Sequence, residues 1–125
     1  MEVREIMSKA VVTDDKATLR DAARIMSDKN IGSLIVVVNN VIKGILTERD
    51  VMKNINKLDN KITSIMSKRV ITIDAYSDVQ EAVKIMTERR IKRIPVLKDK
   101  KLVGLISMTD LIAYSDVEES DFFLN

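Results

Sequence analysis

Cysteine and histidine are absent from the chain. A zinc site of the usual thiolate and imidazole type, a thiol nucleophile and a histidine-based triad are therefore excluded. The lack of cysteine fits a reducing cytoplasm, the compartment expected here. Aromatic residues make up only 3% of the sequence. The core must then be aliphatic, and single-stranded nucleic-acid binding, whose stacking platforms need several aromatics, is a weak reading. Charge of one sign is lacking too: charged residues reach 32%, yet the formal net charge is +2. So mixed a surface argues against bulk attraction to DNA or to a membrane. No apolar run approaches the ~20 residues of a membrane span, and the start lacks a signal-peptide core. Proline occurs once, at Pro95.

The sequence is rich instead in aliphatic residues arranged twice over. Hydrophobic residues make up 46% of 125, enough for one packed domain's worth of chain. Gly44-Ile45-Leu46-Thr47-Glu48-Arg49-Asp50 returns as Gly104-Leu105-Ile106-Ser107-Met108-Thr109-Asp110, at an offset of 60 (104 − 44). The apolar pair suits the end of a buried strand and the hydroxyl suits a helix N-cap. Asp50 and Asp110 then fall in a first helical turn, where the macrodipole favours an anion. Two readings are open for this acid. It can close a capping box with the hydroxyl, or accept two hydrogen bonds from a vicinal diol such as a ribose. The usual box prefers the longer Glu or Gln at that position, which tilts two aspartates toward a ligand.

The rest of the chain follows the duplication. Ile6-Met7-Ser8 recurs as Ile65-Met66-Ser67, and Val11-Val12-Thr13 as Val70-Ile71-Thr72, both at an offset of 59. One extra residue is expected between this short strand and the following helix of the second copy. Leu19, Ala22, Ala23 and Met26 lie on one helical face, matched by Val79, Ala82, Val83 and Met86 with Ser77 as cap. The methionines read as core filling rather than a cofactor box. Residues 34–38 and 41–46 form a strand pair around Asn39-Asn40. Residues 91–97 and 101–106 repeat it, and Pro95 should sit at the start or edge of its strand. Helices are expected over 47–53 and 107–114, a polar linker over 54–61, and an acidic, frayed tail beyond 115. The fold class is α/β (α+β): two β-α-β-β-α repeats related by a pseudo-twofold axis, with sheets flanked by helices. The boundaries are 1–58, 59–115 and a tail over 116–125.

These residues resemble a tandem pair of CBS domains, the small regulatory repeats named for cystathionine β-synthase. The likeness rests on the paired Ile-Met-Ser entries, Ile31-Gly32-Ser33 with its strand, Arg93-Ile94-Pro95-Val96 and both Gly-x-x-Thr/Ser-x-x-Asp endings. It covers about residues 1–115. The resemblance implies a stand-alone, non-catalytic, energy-sensing module with two clefts between the repeats. Their ligand would be an adenosine nucleotide (AMP, ADP or ATP) or S-adenosylmethionine. It implies that Asp50 and Asp110 hold the ribose hydroxyls, while Thr47 and Ser107 help anchor ribose or phosphate. Arg49, Lys92 and Arg93 would meet phosphate, and Thr13 and Thr72 would face base or ribose. Thr13 and Thr72 serve equally well as turn-capping hydroxyls. Cations at Arg89, Arg90, Lys92 and Arg93 also suit a solvated helix end. Thr109 departs from the basic residue that precedes the aspartate in the first copy, and Gly32 and Ser33 are neutral where Lys92 and Arg93 are basic. The resemblance further implies a homodimer pairing through the helices after Thr47 and Ser107. A regulated protein partner is also implied. A ligand-independent assembly module is the alternative; nucleic-acid binding is disfavoured by the balanced charge.

Overall fold

The computed structural model describes the backbone of residues 1–123 and the side chains of residues 1–115. The elements are β1 (Val12–Thr13), α1 (Leu19–Lys29), β2 (Ser33–Val38), β3 (Val41–Thr47) and α2 (Glu48–Lys53). They are followed by β4 (Ile73–Asp74), α3 (Val79–Arg89), β5 (Arg93–Lys98), β6 (Lys101–Ser107) and α4 (Met108–Phe123). Each half carries a three-stranded sheet, ordered β1-β2-β3 and β4-β5-β6, with one parallel and one antiparallel pairing. The mixed α/β class with helices flanking two sheets is thus as the pattern predicts.

The chain divides into two compact units that cut across the repeats. One joins Met1–Lys9 to Ile71–Asn125; the other is Ala10–Val70. Each unit is a helix-and-sheet body completed by the entry segment that precedes the other repeat. In the first unit Val3 is fully buried among Ile73, Val79, Ala82, Met86, Ile94 and Ile106. In the second, Ile62 and Met66 are buried among Leu19, Ala22, Met26, Leu34, Val36 and Leu46. Burying one such aliphatic side chain contributes about 1.5–3 kcal/mol. Backbone pairing accounts for the seating. The Met1 carbonyl accepts the Val79 N–H at 3.0 Å and the Asn60 carbonyl accepts the Leu19 N–H at 2.9 Å, so each entry satisfies a first-turn amide that its helix leaves open.

The entry also crosses the last strand. Ser67 exchanges both backbone hydrogen bonds with Ile45 (3.0 and 3.0 Å), and Ser8 does so with Leu105 (2.8 and 2.9 Å). The two motif glycines exist for this crossing. A Cβ on Gly44 would lie 2.8 Å from the Ser67 carbonyl oxygen and 2.5 Å from the Met66 sulfur. On Gly104 it would meet the Met7 sulfur at 2.5 Å and the Ser8 carbonyl oxygen at 3.0 Å.

The helices start on side-chain caps. Thr18 caps α1: its Oγ1 accepts the Asp21 N–H at 3.2 Å, and Asp21 Oδ2 accepts the Thr18 N–H at 3.1 Å. The α3 cap is Asp78, whose Oδ1 accepts the Gln80 N–H at 2.8 Å, and not Ser77 as the sequence suggested. The residues buried on the helical faces are Leu19, Ala22 and Met26, and Val79, Ala82 and Met86; Val83 stays exposed. α4 runs to Phe123 instead of ending near Tyr114, because no Gly or Pro interrupts the stretch and its residues tolerate helix. The expectation of a frayed tail, and its alternative of Phe122, Phe123 and Leu124 docking on a neighbouring chain, concern side chains outside the described residues. The hairpin tips are tight turns with positive φ at Asn39 (51°) and Asn40 (64°), and at Asp99 (51°) and Lys100 (66°).

Two expectations follow. Gly44→Ala should lower stability in urea unfolding by about 1–3 kcal/mol, the scale of overpacking. Gly104→Ala should cost less, since a methionine end can yield at both sites but the backbone carbonyl oxygen lies at 3.0 Å there against 2.8 Å at Gly44; equal costs would contradict the crossing geometry. For Asp21, hydrogen bonding from the Thr18 backbone and hydroxyl, with Arg24 and Lys61 nearby, lowers the carboxyl below the ordinary aspartate range. Its folded pKa is therefore below its unfolded one, so the contribution is present above the ordinary range and disappears as pH falls through the folded value. The gap in urea midpoint between wild type and Asp21→Asn should accordingly narrow on acidification; a pH-independent gap would refute this.

Candidate functional site

Both twin motifs form a strand that turns directly into a helix. Thr47 ends β3 in an extended conformation (φ −119°, ψ 166°) and is the N-cap of α2. Its N–H donates to Asp50 Oδ2 at 2.9 Å, its hydroxyl donates to the same oxygen at 3.1 Å, and the Asp50 N–H returns to Thr47 Oγ1 at 3.4 Å. At the second junction the Ser107 N–H donates to Asp110 Oδ2 at 2.9 Å, and the Asp110 N–H to Ser107 Oγ at 3.1 Å. Both carboxylates are half-buried. Both acids thus close capping boxes, as Asp21 does at α1. The short aspartate arm reaches the cap amide in all three places. Its length therefore does not discriminate a ligand position from a cap, and the tilt drawn from it in the sequence is withdrawn.

A cap leaves lone pairs over, and here the two copies differ. Asp50 Oδ1 makes no hydrogen bond to a described residue. Asp110 Oδ1 accepts the Ser8 hydroxyl at 2.6 Å. Ser8 was not among the sequence candidates; the repeated Ile-Met-Ser triplet was the signal that could have found it.

The neighbours of each cap come from the start of the preceding strand. Arg93 lies directly opposite Ser107 in the ladder, and Ser33 opposite Thr47, so each pair shares a sheet face. The Lys92 carbonyl accepts the Met108 N–H at 2.8 Å, and the Gly32 carbonyl accepts the Glu48 N–H at 3.1 Å. The first unit therefore gathers Ser8, Lys92, Arg93, Ser107 and Asp110. The second gathers Gly32, Ser33, Thr47, Arg49 and Asp50. Lys92 and Arg49 are exposed and Arg93 is half-buried; none has an ion-pair partner among the described residues. Arg89 and Arg90 are exposed at the end of α3.

Thr13 and Thr72 are not drawn into these groups. Thr13 is half-buried and pairs with Val36, three positions along β2 from Ser33, roughly 10 Å at strand rise. Thr72 is exposed and precedes β4. Nor are the two threonines equivalent. The position opposite Val96, counterpart of Thr13 opposite Val36, is held by the buried Ile73. Matching turns confirm the offset of 60: Asp14 Oδ1 accepts the Lys16 N–H, and Asp74 Oδ1 the Tyr76 N–H, both at 2.8 Å. The extra residue of the second copy thus lies before the short strand, not after it. Proline explains why Thr72 is left out. Ile35 donates its N–H to the Val11 carbonyl at 3.0 Å, whereas Pro95 at the equivalent place has no N–H. Pro95 is buried inside β5, the central strand, rather than at its start or at a sheet edge. It is tolerated there because β4 pairing begins only at Val96.

Among the described residues no group of three or more Asp, Glu, His or Cys side chains could hold a metal ion, and no helix is long and apolar enough to cross a membrane.

Comparison with known proteins matches the CBS domain family model over residues 3–57 and again over 62–116. The chain is 36% identical over 110 residues to the CBS domain-containing protein CBSX3, mitochondrial, of Arabidopsis thaliana. That match covers 80% of this chain but only 52% of the relative's length. Among solved structures it is similar to the CBS domain pair of protein MJ0100 in complex with 5′-methylthioadenosine and S-adenosyl-L-methionine. That match has a TM-score of 0.88 and 26% identity, covering 94% of this chain and 98% of the other. It also resembles a hexameric CBS-CP12 protein from bloom-forming cyanobacteria, with a TM-score of 0.85 and 28% identity over 95% of this chain and 74% of that one.

Replacing the proline tests the account of the short strand. Pro95→Ile restores an N–H opposite the Ile71 carbonyl and should extend β4 to Thr72. The new amide at position 95 should then be protected in hydrogen exchange as the Ile35 amide is; rapid exchange there would show that something else ends the strand.

Proposed function

The chain belongs to the CBS domain family, and on that premise we propose that it is a regulatory module that binds an adenosine-derived ligand and passes the resulting change to a partner. The reading is carried by one observation: a half-buried carboxylate at each strand-to-helix junction, held by its cap with acceptor capacity remaining. A ribose presents two adjacent hydroxyl donors, which is what a positioned carboxylate accepts. The bound adenosine compounds of the MJ0100 domain pair support the same ligand class. Thr47 and Ser107 hold the acids. Lys92 and Arg93 in one unit, and Arg49 in the other, supply cations suited to phosphate, which favours AMP, ADP or ATP over S-adenosylmethionine, itself a cation at sulfur. No residue is assigned a catalytic role.

Such a ligand regulates only through a difference in affinity between two states of the protein. Apolar side chains left exposed on the junction helices, Met52 (73%) on α2 and Ile112 (53%) on α4, support self-association as the route by which the change is read out. The hexameric relative is consistent with assembly through this kind of module. A homodimer is the smallest assembly that would cover them. Ligand-independent assembly is the second reading, and those same exposed residues favour it.

Calorimetric titration of AMP, ATP and S-adenosylmethionine against wild type and Asp110→Asn decides between the two. Loss of the charged acceptor should weaken nucleotide binding at one site by about 1.5–3 kcal/mol. A melting temperature insensitive to all three ligands would leave the assembly reading.

A further inference from the structure

We infer that the two junctions select ligands by charge: the first unit takes the phosphate chain of a nucleoside di- or triphosphate, with Arg90 as a specificity-determining residue, and the second does not. This rests on the ribose reading above and adds a charge class to it. The duplication provides an internal control, because each residue around one junction has a counterpart 60 positions away at the other. Positions 89–93 and 107–110 hold four cations, Arg89, Arg90, Lys92 and Arg93, against one carboxylate, Asp110, a net charge of +3. Positions 29–33 and 47–50 hold two cations, Lys29 and Arg49, against two carboxylates, Glu48 and Asp50, a net charge of zero. The next residues outward, Glu88 and Asp28, are acids in both copies, so the difference of three charges stands.

The fold does not require the added cations. A cation in the last turn of a helix suits the dipole, and this accounts for Arg89 as it does for Lys29. It does not account for Arg90. Both helices end on a residue in the left-handed region, Asn30 at φ 53° and Arg90 at φ 55°, whose N–H returns to the carbonyl of Met26 or Met86. Asparagine suits that conformation better than arginine, so the helix end is not improved by the exchange. The charges are not answered from within the chain either. None of the four cations has an ion-pair partner among the described residues. Asp110 is held instead by the Ser107 N–H and the Ser8 hydroxyl. The cations form a series leading away from the junction. Arg93 lies across the ladder from Ser107, Lys92 is tied through its carbonyl to the Met108 N–H, and Arg90 stands on the loop that leads from α3 into β5. A ribose held by its diol at Asp110 directs its 5′ substituent away from that acid. A phosphate chain is the substituent whose charge such a series would neutralise. Arg93 and Lys92 suffice for the first phosphate, which leaves Arg90 for those beyond it.

The test titrates adenosine, AMP and ATP, without divalent cations, into the intact chain while the amide signals of Asp50 and Asp110 are followed separately by NMR. From AMP to ATP the Asp110 midpoint should tighten about tenfold, the scale of one charge-assisted hydrogen bond. The Asp50 midpoint should tighten about threefold at most, as expected of exposed charges in balanced surroundings. Arg90→Asn installs the residue of the other copy in a conformation that residue favours, so its urea midpoint should be no lower than that of wild type. At Asp110 it should abolish the gain from AMP to ATP and leave the adenosine midpoint unchanged. Equal gains at the two amides, or an AMP-to-ATP gain at Asp110 that Arg90→Asn leaves intact, would overturn the charge selection while leaving the ribose reading standing. Adenosine binding no tighter than 2′,3′-dideoxyadenosine at either amide would instead sink the ribose reading, and the role of Arg90 with it.

Discussion

The structure depends on one close approach, the passage of an entry segment over a glycine in the last strand of each sheet. Gly44 lies under Met66 and Ser67, and Gly104 under Met7 and Ser8, at distances that a Cβ could share only if its neighbours shifted. The approach lets the entry strand form main-chain hydrogen bonds with Ile45 or Leu105 and sends Ile62 or Val3 into the aliphatic core. With so few aromatics to fill space, the core is closed by these borrowed residues. The same crossing sets a serine beside each strand-to-helix junction. Packing and site geometry therefore have a common origin.

The junction acids show how a structural role readies a residue for the binding proposed above. A carboxylate at the third position of a helix meets the open amides and the positive end of the dipole, which stabilises the helix start and fixes the side chain. Fixing the side chain is also what a receptor for hydroxyl donors requires. Capping and binding are not competing explanations for Asp50 and Asp110. The cap positions the group, and what remains of its acceptor capacity determines what it can receive.

Duplication supplied two copies, and a few substitutions made them unlike. Pro95 stands where the other copy has Ile35 and removes a hydrogen bond, shortening the parallel pairing. Lys92 and Arg93 replace Gly32 and Ser33, and Thr109 replaces Arg49, so the cations are differently disposed around the two acids. The hairpin tip is Asn39-Asn40 in one and Asp99-Lys100 in the other, with the same positive φ angles. The backbone plan tolerates all of these changes because the crossing and the caps are retained.

Much of this was legible in the residues alone. Hydrophobic spacing located the longer helices and strands, and the hydroxyl three residues before an aspartate marked both junction caps, since these signals act within a turn or two of chain. Offset arithmetic failed at the shortest strands. Thr13 and Thr72 look alike in sequence, yet strand pairing sets Ile73 in Thr13's place, because register is determined by hydrogen bonds to a distant partner. By itself the sequence determined the repeat, its elements and the acids at the helix starts. Only the tertiary structure decided which entry segment completes which sheet, and that Ser8 reaches Asp110, 102 positions away. Local propensity reads neighbours along the chain, whereas these contacts are chosen by burial and backbone pairing between segments that the sequence keeps far apart.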